Sequence, residues 1–177
     1  MRLSMPDTLD GYMEWIMLET LFSGYLLVFS LLYIVSAYQG ERGFFKRRIM
    51  PLLPLTYALM GTIFGGLQLK IGHSYNTCQH FVFSLQYPFL HGWALVSILF
   101  WIPFLRKRPI LSALHSSIFF GLMVKDMFVE SPDKLVDNSS PGNDLKIYSA
   151  SIGIYVTALL FLLLCSQLIY RIKRENA

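Results

Sequence analysis

Charge is scarce in this sequence. Lys, Arg, Asp and Glu make up 15% of its 177 residues, against about 25% in an ordinary soluble domain. Cysteine is scarcer still. Two residues, Cys78 and Cys165, cannot build the disulfide framework of a small secreted scaffold. There is no Gly-rich phosphate loop, no His-Glu-x-x-His, no serine elbow and no Cys-x-x-Cys, so the motifs of nucleotide hydrolysis, zinc proteolysis, serine hydrolysis and dithiol redox chemistry are missing. Internal repeats and low-complexity tracts are also absent. Disorder is excluded on opposite grounds: 54% of the residues are hydrophobic and 14 are Phe, too much apolar surface to leave in water.

What is present is a set of long apolar runs, with a mean hydropathy of +0.49 over the chain. A membrane helix needs about 20 mostly apolar residues, and five stretches qualify: 15–38, 50–69, 81–105, 109–128 and 147–170. Lys125 and Asp126 shorten the apolar part of the fourth. None alternates with the two-residue period of a barrel strand, and in lipid a helix satisfies every backbone polar group within its own segment. The first run has no basic region before it and carries Asp7, Asp10 and Glu14 instead, so it reads as a permanent helix rather than a cleaved signal.

Charge placement orders these helices. Arg42, Lys46, Arg47 and Arg48 follow the first run, Arg106-Lys107-Arg108 follow the third, and Arg171, Lys173 and Arg174 follow the fifth. Ten of the fifteen basic residues thereby fall on one side, and nine of the eleven acids on the other. Because Lys and Arg are retained in the cytoplasm, the expected architecture is an all-α integral membrane protein, a five-transmembrane-helix bundle forming one domain over residues 1–177, with the N-terminus outside and the C-terminus cytoplasmic. The net charge of +4 is then a topology signal and an attraction to anionic headgroups; charge without a motif does not point to nucleic acid. Short loops and one-sided charge suit a bacterial inner membrane.

Small residues at four-residue spacing let membrane helices approach closely. Gly61 and Gly65 form one such face, and Ala113, Ser117 and Gly121 another; they can serve contacts within the bundle, self-association, or other membrane subunits. Pro88 lies inside the third run, where it removes a helical hydrogen bond. The outer loop 137–144 is rich in oxygen ligands and turn formers but lacks the acid that closes a calcium loop.

Ionisable residues inside a membrane are costly, so each is a candidate for function. His91 and His115 sit on the third and fourth runs, and two histidines on neighbouring helices are a way to hold a b-type haem. However, His91 lies about 20 Å and His115 about 9 Å from the inner ends of their runs, a mismatch of about 10 Å. His73, Cys78 and His80 in the second loop are donors for a transition metal, at a spacing that fits no standard zinc pattern. Glu19, Lys70, Gln86, Lys125 and Asp126 all fall near the outer boundary and define an outward-facing polar layer able to take a headgroup, a quinone or a small solute.

The sequence therefore supports a noncatalytic accessory or structural subunit of a membrane complex, with the bilayer and other membrane subunits as partners and no catalytic residues or required cofactor. Two alternatives remain: a small-solute or ion carrier or channel using the outer polar layer, with His91 at mid-depth, and a haem- or metal-binding redox protein.

Overall fold

The structure, a computed structural model, describes residues 9–40, 43–74, 88–128 and 142–175. Every regular element among them is helical. Helix α1 spans Leu9–Phe22 and α2 spans Tyr25–Tyr38. A π-helical turn at Phe45–Ile49 and a 3-10 turn at Met50–Leu52 lead into α3, Leu53–Ser74. Helix α4 covers Pro88–Val96 and tightens into a 3-10 turn at Ser97–Trp101. The short α5 is Pro103–Arg106, α6 is Pro109–Phe128, and α7 is Gly142–Glu175. Three helical stretches are long and apolar enough to cross a membrane, namely Trp15–Tyr38, Phe45–Lys70 and Leu145–Glu175. Phe89–Trp101 and Pro109–Lys125 are shorter apolar helices.

Two of the expected runs are interrupted, each for a local reason. The run 15–38 breaks at Ser23-Gly24, between α1 and α2. Helix ladders open where a Gly/Ser pair lets a neighbouring side chain insert, and here the neighbour is α7. The Gly24 amide donates to Ser151 Oγ at 2.8 Å, and the Tyr155 hydroxyl donates to the Leu21 carbonyl at 2.6 Å. Ser151 and Tyr155 are four residues apart and share one face of α7, so a single face supplies a donor and an acceptor to the break. The approach is close: a Cβ at Gly24 would stand 2.7 Å from the Ile152 backbone nitrogen. Ser151→Ala removes the acceptor and leaves a buried amide unpaired; we expect a loss of about 1–2 kcal/mol, read as a lower unfolding midpoint in detergent.

The run 81–105 does not continue as one helix to Leu105. Ile102 is extended, at φ −67° and ψ 128°, because the ring of Pro103 pushes the residue before it out of the helical region. The described part of α4 begins at Pro88; residues 81–87 lie outside the described ones, so the expectation of a Pro88 inside a longer helix falls outside them as well. Helix α3 then packs on the 3-10 turn. A Cβ on Gly61 would collide with Ser97 Oγ and lie 3.1 Å from the Ile98 backbone nitrogen, and one on Gly65 would meet Leu95 at 3.3 Å. Gly61 and Gly65 thus face the chain's own residues 95–98.

The core is aromatic. Phe22, Tyr25, Tyr57 and Phe64 are fully buried and Tyr155 nearly so. Phe22 meets Tyr57 and Phe64 edge-on at 5.7 Å and stacks on Phe119 at 4.8 Å. Edge-on and offset aromatic contacts of this kind add to the packing that holds the helices together. Hydroxyls on the helices mostly bond back into their own turns, as Ser116 to the Ala113 carbonyl and Ser117 to the Leu114 carbonyl.

Candidate functional site

Tyrosines from three helices meet at the centre. Tyr25 of α2 lies 4.5 Å from Tyr57 of α3 and 5.2 Å from Tyr155 of α7, centroid to centroid. A buried phenol needs a partner for its hydroxyl, and each has one. Tyr25 and Ser112 share a hydrogen bond of 2.6 Å, Tyr57 and His115 Nδ1 one of 2.8 Å, and Tyr155 caps the break as described. Ser112 Oγ also bonds the Pro109 carbonyl at 2.6 Å. These bonds tie α2 and α3 to α6, and α7 to α1.

His115 is the polar residue that this centre organises most closely. Trp93 stacks on its ring at 4.5 Å with 4° between the planes, and the Trp93 indole donates to the His115 carbonyl at 3.0 Å. Tyr57 and Phe100 meet the imidazole edge-on. Its Nε2 is buried and has no hydrogen-bond partner among the described residues. The Tyr57 bond fixes the orientation of the ring, and the tautomer decides which partner donates.

His91 is buried as well, and its ring lies 5.6 Å from that of Phe64. Phe64 is seven residues, or about 10 Å, along α3 from Tyr57. On α4, His91 precedes by two residues the Trp93 that stacks on His115. No group of three or more His, Cys, Asp or Glu able to hold a metal occurs among the described residues. Cys78, His80 and Gln86, and the side chains of His73 and Asp126, lie outside them.

Of the residues expected in an outward-facing polar layer, Glu19 borders a cleft among the described residues. Trp15, Leu18 and Glu19 of α1, Leu90 of α4, and Phe119 and Leu122 of α6 line this shallow cleft, with room inside for about one water molecule. Glu19 is half-buried in it, while Lys70 and Lys125 are exposed. Gln68 Nε2 and the Tyr148 hydroxyl are buried and lack a partner among the described residues.

Sequence reasoning missed the central tyrosines. The residues singled out there are ionisable or polar, and Tyr25, Tyr57 and Tyr155, in the middles of apolar runs, are not among them. The signal was available: a phenol deep in an apolar run must find a hydrogen-bond partner on a neighbouring helix. The chain matches no protein-family model, no curated protein and no solved structure.

Proposed function

We propose that this chain is a five-pass membrane protein, N-terminus outside and C-terminus cytoplasmic, that serves as a noncatalytic accessory or structural subunit of a membrane assembly. The observation that carries this reading is the filled axis. The fully buried rings of Phe22, Tyr25, Tyr57 and Phe64, with Tyr155, occupy the centre of the bundle, and the tyrosine hydroxyls are bonded to Ser112, to His115 and to the Leu21 carbonyl. A carrier or catalyst keeps polar groups along a water-reachable cavity; here the polar groups join helix to helix. The five-pass count is supported by α6, whose 20 residues reach about 30 Å, the thickness of the hydrocarbon core. The orientation is supported by the one-sided basic residues, and a bacterial inner membrane suits the short loops.

With Gly61 and Gly65 turned toward the chain's own residues 95–98 and Ala113 buried, a partner helix is left the exposed Ser117 and Gly121 of α6. Purification from the native membrane in mild detergent, with mass spectrometry of everything that co-elutes, tests the reading. Stoichiometric membrane partners are expected. An isolated monomer with turnover of its own removes it.

One observation favours a second reading. Glu19 lines the cleft between α1, α4 and α6, a place for an outward-facing solute site. On that reading Glu19→Gln abolishes flux in proteoliposomes while the unfolding midpoint stays close to that of the parent, and His91→Ala abolishes flux with a lowered midpoint, since His91 is buried against Phe64. Undiminished flux in both variants eliminates it.

A further inference from the structure

The inner end of α7 draws like charges together. The stripe that packs Tyr155 and Leu159 into the core continues at helical spacing through Leu163, Ser166 and Tyr170 to Lys173 and Arg174. The Arg48 guanidinium lies over the Tyr170 ring, 5.6 Å from its centroid. Arg48 belongs to the run Lys46-Arg47-Arg48 of the π-helical turn. Arg48, far from α7 in sequence, therefore stands at a ring one helical turn from Lys173 and Arg174. All five cations are exposed, and Glu175 is the one acid within residues 45–49 and 170–175. The ring attracts Arg48, but Arg48 is repelled by Lys173 and Arg174 on the same side of α7, and an anion between them relieves that repulsion.

We propose that this corner binds the phosphate headgroup of an anionic phospholipid. The occupant is a lipid rather than a soluble anion because the charges border apolar helix surface. Leu168, Ile169 and Ile172, in the same two turns of α7, are all at least half exposed, ready to lie along acyl chains while Tyr170 and the basic side chains reach the headgroup level. Basic pockets between helices at a membrane face recognise such headgroups. The inference requires that the chain be embedded in a bilayer. It requires neither the subunit role nor a particular orientation, so either can fail without the other.

The test uses the full chain in nanodiscs of phosphatidylcholine containing roughly one-fifth phosphatidylglycerol, with the retained lipid counted by native mass spectrometry. Phosphatidylglycerol is expected to be retained over phosphatidylcholine. The triple change Arg48→Gln, Lys173→Gln and Arg174→Gln should weaken retention by about tenfold or more. Removing the same number of charges elsewhere, through Arg106→Gln, Lys107→Gln and Arg108→Gln, should leave it nearly unchanged. The charge-conserving set Arg48→Lys, Lys173→Arg and Arg174→Lys should retain the lipid, which separates recognition from misfolding. Equal loss in both neutralised sets would reduce the effect to general surface charge and overturn the proposal. So would equal retention of phosphatidylcholine, or complete displacement of the lipid by excess inorganic phosphate.

Discussion

Gly24→Ala should destabilise the bundle by about 3 kcal/mol, a large effect for the addition of one methyl group. The backbone at Gly24 is ordinary, with φ −74° and ψ −15°, so alanine meets no local strain there. The obstacle is α7. The new Cβ would lie 2.7 Å from the Ile152 nitrogen and 2.9 Å from the Ser151 carbonyl carbon. These are backbone atoms of a 34-residue helix and cannot rotate aside, so α7 must move away from α1. That movement stretches the bond from the Gly24 amide to Ser151 and the bond from Tyr155 to the Leu21 carbonyl together. Thermal unfolding in detergent, followed by loss of the monodisperse peak, measures the effect. A midpoint equal to that of the parent would mean that the helices do not approach as described. Combining Gly24→Ala with Ser151→Ala should cost less than the sum of the two, because both act on one contact.

Tyr57→Ala should be of similar or greater size, about 4 kcal/mol. Tyr57 is the hub of the core, with Phe22, Tyr25, Phe100 and His115 all within 5.7 Å of its ring centre. The substitution removes those contacts and opens a cavity. Tyr57→Phe separates the two contributions. It keeps the ring and deletes the hydroxyl, leaving His115, whose Nε2 has no described partner, without its Nδ1 bond; a loss of about 2 kcal/mol is expected. Removing both polar groups by Tyr57→Phe with His115→Leu should recover part of that loss, since a buried polar group left alone costs more than an apolar pair. Tyr25→Phe should be milder, because Ser112 keeps its bond to the Pro109 carbonyl. If Tyr57→Phe proved as mild as Tyr25→Phe, the bond to His115 would not be a support of the core.

The start of the fourth apolar run was legible, at Pro109, because Arg106-Lys107-Arg108 and a proline precede it. The second and fifth runs were found but drawn too short: α3 extends to Ser74 and α7 covers Gly142–Glu175. Their polar flanks remain helical after hydropathy has fallen, since helix formation needs no apolar face once a long helix has started. The interruptions were harder to see. Ser23-Gly24 is a recognisable kink pair, but the apolar residues around it conceal that α7 comes near. Pro103 was visible and its effect on Ile102 is purely local, so that break was readable and was passed over. The interior was the least legible. A soluble helix declares its buried face by contrast with its polar one; here Leu160 and Phe161 are exposed while Tyr155 and Leu159 are buried, and both faces are apolar. Without that contrast, the inward direction has to come from polar residues such as Ser112, His115 and Ser151.

The two bonds that α7 gives to the break between α1 and α2 also set an order of events during synthesis. The partners are 127 and 134 residues apart. At ordinary elongation rates the first helix therefore waits on the order of ten seconds for the residues that complete it. Throughout that interval the Gly24 amide and the Leu21 carbonyl are without the partners that α7 supplies. A chain that stops before Ser151 and Tyr155 lacks both partners, so the break between α1 and α2 is completed only once α7 is present.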